Sequence, residues 1–125
     1  MDKKSKILVV GHDEVMERSL YHQLQKRGFS AVFSSSKEKL DVLNQKIVSD
    51  FFKRERLTRV FLGSIRSGGI EANQKFAAEF IYENLECQNN IIHASFKNNI
   101  KKLLYFSGSC AYPKECPQPI KEEYL

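Results

Sequence analysis

A short loop near the C-terminal end of the sequence holds the residues best suited, by type and spacing, to chemistry. Residues 107–113 place the Cys110 thiol and the Tyr112 phenol beside small hydroxyl-bearing and glycine residues. An apolar run at 103–106 precedes the loop and predicts a buried strand. Ligands of open α/β folds bind where parallel strands end. A small polar loop at this point therefore indicates a site.

The elements that must position this loop alternate between strands and helices. Short apolar runs at 6–10, 31–33, 59–62 and 103–106 predict strands. Apolar residues at helical spacing predict helices over 14–27, from about 43 to 52 and from 76 to about 98, and Gly28 is well placed to end the first. This alternation predicts an α/β fold, a Rossmann-like doubly wound parallel sheet of about four strands. Residues 1–125 are expected to form one partial domain with a loosely ordered tail from about 114.

Charge and composition argue against several other classes of protein. The net charge is +5, but no aromatic residues interleave with basic ones, so we expect solvated lysines and no nucleic-acid partner. No stretch approaches the ~20 apolar residues of a membrane helix, so we expect no membrane contact. Three cysteines without a Cys-x-x-Cys pair favour a reducing cytoplasm, and no spacing suits a metal.

Several short blocks spread over nearly the whole sequence resemble one enzyme family. They are Val10-Gly11-His12, residues 48–52, Gly68-Gly69-Ile70 with Ala72-Asn73, Phe80-Ile81-Tyr82 with Asn84, residues 90–94, residues 102–104, and Ser109-Cys110 with Tyr112-Pro113-Lys114. In this order they resemble the N-terminal portion of the GDP-L-fucose synthases. These are extended short-chain dehydrogenase/reductases of the NAD-dependent epimerase/dehydratase superfamily. The resemblance implies NADPH-dependent epimerisation and reduction of a GDP-4-keto-6-deoxy-sugar.

The resemblance assigns the cofactor loop to the segment after the first strand. Gly11 and His12 match the family's Gly-His-x-Gly-x-x-Gly pattern, whereas Glu14 and Glu17 replace its second and third glycines. Glycines there let the backbone approach the cofactor pyrophosphate, so carboxylates at those positions are expected to weaken or abolish NADP binding. The alternative is an acidic helix N-terminus with no cofactor role.

Cofactor choice depends on the residues after the second strand. An acidic residue there would hold the ribose of NAD, but the sequence has Ser34-Ser35-Ser36 followed by Lys37. Hydroxyls with a lysine suit the 2′-phosphate of NADP. Asp41 matches the position that holds adenine in relatives, although an exposed loop aspartate is an equal alternative.

The resemblance also assigns a catalytic half, and this sequence departs from it. Cys110 matches the epimerisation cysteine and Ser109 the adjacent serine, which we also expect near the cofactor, but Gly108 stands where the catalytic serine should be. No tyrosine is followed four residues later by lysine. The Tyr-x-x-x-Lys pair is expected downstream of Leu125.

Two classes of function remain open. In the first, the chain is a truncated fragment of a GDP-L-fucose synthase-like enzyme, inactive alone, whose partners are a GDP-sugar and either a separate C-terminal polypeptide or a second copy in a homodimer. In the second, it is a stand-alone Rossmann-like module that binds a nucleotide or a protein without catalysis. Truncation would leave the fourth strand as an apolar edge that favours self-association.

Overall fold

Strands and helices alternate along the chain. The computed structural model describes residues 2–11 and 14–125, except for the side chains of Glu14 and Ser109. The strands are β1 (Ile7–Val10), β2 (Val32–Ser34), β3 (Arg59–Leu62) and β4 (Lys102–Tyr105). The helices are α1 (Glu14–Lys26), α2 (Gln45–Glu55), α3 (Ile70–Lys75) and α4 (Ala77–Lys97), with short 3-10 turns at Ser109–Ala111 and Glu122–Tyr124.

The strands form one parallel sheet in the order β2-β1-β3-β4. The register pairs Leu8 of β1 with Phe33 of β2 and with Val60 of β3, and Val60 in turn with Leu103 of β4. The chain runs outward from β1 to β2 and then crosses to the opposite side of β1 to form β3. The strand order therefore reverses between β1 and β3, and the predicted doubly wound, Rossmann-like fold is confirmed.

Alternate residues of each strand supply two cores, one on each face of the sheet. On one face the even-numbered residues of β1 and β3 pack against α2 and α4 around Phe52 and Ile91, both fully buried. On the other face Ile7 and Val9 pack against Leu24 of α1. Helix α1 lies against β1 and β2.

Local signals in the sequence explain where the helices end. The side chain of Asn44 caps α2 by accepting hydrogen bonds from the backbone N–H groups of Lys46 and Ile47, each at 3.1 Å. The first helix ends as predicted, because Gly28 adopts a φ of 83° that favours glycine.

The structure corrects two expectations. The third predicted helix corresponds to α4, but a further helix, α3, precedes it and is separated from it by Phe76, whose φ of −121° and ψ of 37° are not helical. Helix α3 was not predicted because it buries no residue and so has no apolar periodicity. Strand β4 is not buried, because within the described chain it pairs with β3 alone and Leu104 and Phe106 are 37% and 40% exposed.

Most residues of the segment from 114 onwards are exposed, and its loose order remains a prediction. No helix in the described ranges has the length and apolar character required to cross a membrane.

Candidate functional site

The C-terminal ends of the parallel strands meet at one edge of the sheet. Gly11 follows β1, Ser35 follows β2 and Gly63 follows β3, so the point where the strand order reverses lies between Gly11 and Gly63. In open α/β sheets this crevice is where ligands bind. The candidate site is therefore the edge formed by these three chain segments and the first turns of α1.

Glu17 is a charged residue that is deeply buried at this edge. Its exposure is only 3%, and its carboxylate accepts hydrogen bonds from Ser34 Oγ at 2.9 Å and Ser35 Oγ at 2.9 Å. Ser36 adds two donors, its Oγ at 2.8 Å and its backbone N–H at 3.2 Å. Hydrogen bonds to a carboxylate contribute about 1.5–3 kcal/mol each, which offsets the desolvation of a buried charge. We name these four donors from Ser34, Ser35 and Ser36 the serine cradle.

The burial of Glu17 was missed at the level of the sequence, although a signal was present. Glu17 precedes Leu24 by seven residues, and two helical turns return a side chain to the same face. Leu24 is buried against Val9 and Ile7. A carboxylate on the buried face of a helix needs hydrogen-bond donors, and the run of serines after β2 provides them.

Met16 covers the crevice itself. A Cβ built on Gly11 would lie 3.1 Å from the Met16 methyl, and one built on Gly63 would overlap that methyl. The methyl therefore rests on both glycines, at the ends of β1 and β3. Glycines at this point permit close approach of another group to the backbone, and here that group is the Met16 side chain.

The other predicted cofactor residues lie around this edge. Lys37 is exposed, and its Nζ stands 3.8 Å from the centre of the Tyr21 ring rather than in the serine cradle. Asp41 accepts a hydrogen bond from the backbone N–H of Leu43 at 3.1 Å. His12 lies outside the described residues, as do Asp13 and the side chains of Glu14 and Ser109.

A cleft of about 700 Å³ opens beside the serine cradle. Its lining includes Gly11, Asp41, Val42, Arg66 and Glu83. Its size is that of a small-molecule site. Arg66 and Glu83 form an ion pair with each other within this lining.

The Asn84 amide, which belongs to one of the quoted sequence blocks, holds the loop after β3. Its Oδ1 accepts hydrogen bonds from the backbone N–H groups of Ile65 and Arg66 at 3.0 and 3.1 Å, and its Nδ2 donates to the Arg66 carbonyl at 2.9 Å. These bonds fix the backbone that carries the Arg66 side chain to the cleft.

The loop after β4 reaches the same edge. Gly108 and Cys110 line a second cleft with Arg66 and Ser67, which also line the first. Cys110 is exposed, and a Cβ built on Gly108 would have no neighbour closer than the Cys110 backbone nitrogen at 4.0 Å. The structure thus brings together the cofactor and catalytic segments that were proposed from the sequence, and the loop has room for a serine at position 108.

The fold and this edge define a Rossmann-like domain whose ligand crevice lies at the reversal of strand order. The model of the NAD dependent epimerase/dehydratase family matches residues 7–125, and the chain belongs to this family.

Known relatives agree with the resemblance seen in the sequence. The chain is 40% identical over 124 residues to GDP-L-fucose synthase 1 of Arabidopsis thaliana and 37% identical over 122 residues to GDP-L-fucose synthase of Escherichia coli K12. These alignments cover 99% and 98% of the chain. The chain spans about 38% of the length of either relative, in their N-terminal portion.

Two solved structures from Campylobacter jejuni share the fold. A GDP-D-glycero-L-gluco-heptose synthase, crystallised in the presence of NADPH, and a GDP-mannoheptose C4 reductase with NADP bound are each 45% identical, with a TM-score of 0.88. The alignments cover all of this chain and 36% and 40% of those chains, respectively. The predicted family and fold are confirmed.

Proposed function

We propose that this chain is the nucleotide-binding portion of a GDP-sugar epimerase/reductase of the GDP-L-fucose synthase type, without turnover by itself. The observation that carries this proposal is the convergence of the Gly11 segment and the Gly108–Cys110 loop on one edge of the sheet. Relatives that share this fold act on GDP-linked sugars by name. A GDP-sugar is therefore the proposed substrate class of the complete site.

We infer the absence of turnover from the catalytic groups that are missing in these 125 residues. In the family a serine and a Tyr-x-x-x-Lys pair polarise and protonate the carbonyl of the sugar. Here Gly108 stands at the serine position, and the sequence contains no such tyrosine–lysine pair. Cys110 offers an exposed thiol beside the cleft, but a thiol alone supplies neither the proton relay nor the stabilisation of an oxyanion.

For the cofactor, we propose NADP as the ancestral ligand, with binding that is weak or lost. The residues present do not fit a dinucleotide, since the Glu17 carboxylate occupies the serine cradle and the Met16 methyl rests on Gly11 and Gly63. Both contacts fall where the backbone or hydroxyl groups would have to face the cofactor. No catalytic step is assigned through NADP.

The three thiols are free, with Cys87 buried and Cys110 exposed, which supports a reducing cytoplasm as the proposed compartment.

The experiment that tests the proposal is a turnover assay of the purified chain. The chain is incubated with NADPH and GDP-4-keto-6-deoxymannose, and GDP-fucose is sought by chromatography and mass spectrometry. We expect no product above the enzyme-free control, and the Escherichia coli relative serves as the positive control. NADPH-dependent formation of GDP-fucose by the chain alone would overturn the proposal.

A second candidate function is protein binding without catalysis, and the surface of α4 favours it. Five large side chains along this helix are 47% to 77% exposed: Ile81, Tyr82, Leu85, Ile92 and Phe96. Exposed apolar side chains on one element are typical of an interface. Sedimentation velocity at rising concentration tests the homodimer form of this alternative, which predicts a rise from the monomer mass; a constant monomer mass contradicts that form.

A further inference from the structure

We propose that the serine cradle at the end of β2 is an oxyanion site, and that this chain fills it with the carboxylate of its own Glu17. Without that carboxylate the cradle would take a phosphate monoester on a nucleoside ribose. The inference rests on the proposed function for the identity of the nucleotide, whereas the geometry of the cradle stands independently of it.

The donors of the cradle are arranged for an oxyanion. Ser34 Oγ, Ser35 Oγ and Ser36 N all reach one carboxylate oxygen, Oε1, at 2.9, 2.9 and 3.2 Å, and Ser36 Oγ reaches the other, Oε2, at 2.8 Å. Carboxylate and phosphate oxygens accept the same short, charge-assisted hydrogen bonds. A phosphate monoester offers three terminal oxygens to the four donors that the two carboxylate oxygens now use.

The position of the cradle identifies the class of ligand. It lies at the end of β2, where doubly wound folds contact the ribose of a dinucleotide and distinguish a free 2′-hydroxyl from a 2′-phosphate. Ser35 and Ser36 also line the open cleft of about 700 Å³ that leads to Asp41 and Val42. A nucleoside in that cleft would have its ribose next to the cradle.

A second, independent contact points the same way. Met16 precedes Glu17 on the same turn of α1, and its methyl rests on Gly11 and Gly63 in the crevice between β1 and β3. Neighbouring side chains of one helical turn thus occupy two adjoining parts of the edge. Glu17 fills the polar part and Met16 the apolar part.

The test compares the wild-type chain with Glu17→Ala, using 2′,5′-ADP as the probe and 5′-AMP as the probe that lacks a 2′-phosphate. Glu38→Gln is the matched control, because Glu38 is exposed, lies beside the cradle and loses the same charge. Binding is measured by calorimetry, and folding of each variant is checked by circular dichroism. We expect no saturable binding of 2′,5′-ADP to the wild type or to Glu38→Gln up to about 1 mM.

For Glu17→Ala we expect saturable binding of 2′,5′-ADP at least about tenfold tighter than that of 5′-AMP. A folded Glu17→Ala chain that binds neither probe, or both equally, would overturn the inference. Should the alanine variant fail to fold, the wild type alone decides the question through the NMR signal of the Ser36 amide. An unchanged signal on addition of 2′,5′-ADP supports a filled cradle, and a saturable shift contradicts it.

These outcomes separate the inference from the proposed function. Formation of GDP-fucose by the chain alone would refute the proposed function and leave the cradle to be judged by 2′,5′-ADP. If folded Glu17→Ala gains no binding of 2′,5′-ADP, the inference of a filled cradle is refuted, whereas the proposed absence of turnover is unaffected.

Discussion

The two halves of the sheet differ on the face that carries α1. Over β1 and β2, helix α1 buries Ile7, Val9 and Val32 to below 9% exposure. Over β3 and β4, Phe61 stacks on Phe106 at 6.5 Å between ring centres, and Leu104 and Phe106 are 37% and 40% exposed. One half of this face is closed by the chain itself, and the other presents apolar side chains to its surroundings.

The same contrast holds for the polar groups at the edge of the sheet. Next to β2 the Glu17 carboxylate is surrounded by four donors, so the edge is complete without a ligand. Next to β4 the loop with Gly108 and Cys110 is exposed and lines an open cleft. The edge next to β2 is thus closed by the chain's own side chains, whereas the edge next to β4 remains open.

The largest effect is expected from breaking the closed core. Phe52 is fully buried among α2, α4 and the sheet, so Phe52→Ala is expected to cost about 3–5 kcal/mol in the free energy of unfolding. Phe96→Ala is the matched control, because Phe96 is 77% exposed and its loss is expected to change stability by about 0.5 kcal/mol or less. Urea denaturation followed by circular dichroism measures both, and equal losses would contradict the assignment of the core.

Thiol chemistry gives the next largest contrast. Burial raises the pKa of Cys87 to about 12, whereas Cys110 is exposed at the open edge. Because the thiolate is the reactive form, an aromatic disulfide reagent at pH 8 is expected to modify Cys110 at least about a hundredfold faster than Cys87. Mass spectrometry of quenched samples identifies the modified residue. Comparable rates in the folded chain would mean that the core around Cys87 opens freely.

Removal of the Glu17 carboxylate tests how far the closed edge depends on it. Glu17→Ala leaves the serine hydroxyls of the cradle without their buried acceptor, so a loss of about 1–3 kcal/mol in unfolding free energy is expected. Glu38→Gln, at an exposed position, is expected to change stability by about 0.5 kcal/mol or less. Thermal unfolding monitored by calorimetry compares the two. An unchanged free energy of unfolding in Glu17→Ala would show that these hydrogen bonds contribute no net stability.

The smallest effect is expected from the open half of this face, over β3 and β4. The effect is on self-association, which is expected only at high protein concentration. Leu104 and Phe106 stand on the uncovered face of β4, so the wild type is expected to self-associate and Phe106→Lys to weaken association by about tenfold. Phe96→Lys, on α4, is the control for an added charge elsewhere. Sedimentation equilibrium measures the association constants. If the association constant is unchanged in Phe106→Lys but falls in Phe96→Lys, the self-association surface lies on α4 and not on β4.

Much of the fold could be predicted from the sequence because apolar periodicity and turn residues are local signals. The four strands, α1 with its end at Gly28, and the segment that contains α2 follow from such signals. Helix α3 could not be predicted, since a helix that buries nothing has no period. For β4 the sequence left two expectations, a buried strand from its apolar run and an apolar edge from truncation, because an apolar run does not reveal whether neighbours cover it.

For the site, the two altered glycine positions could be identified from the sequence, but the direction of the Glu17 side chain could not. A repulsive carboxylate facing a pyrophosphate was the expectation for Glu17, whereas the structure turns that side chain toward the serines after β2. The reason is a tertiary contact between α1 and β2, whose geometry no local pattern contains. Of the residues that were predicted to hold a 2′-phosphate, the three serines hold Glu17, whereas Lys37 lies over the Tyr21 ring.

The most direct test of this account is a calorimetric titration of the wild-type chain with NADPH. Because Glu17 fills the serine cradle and Met16 covers Gly11 and Gly63, we expect no saturable heat up to about 1 mM NADPH. A dissociation constant in the micromolar range would contradict it and show that these side chains yield to the cofactor.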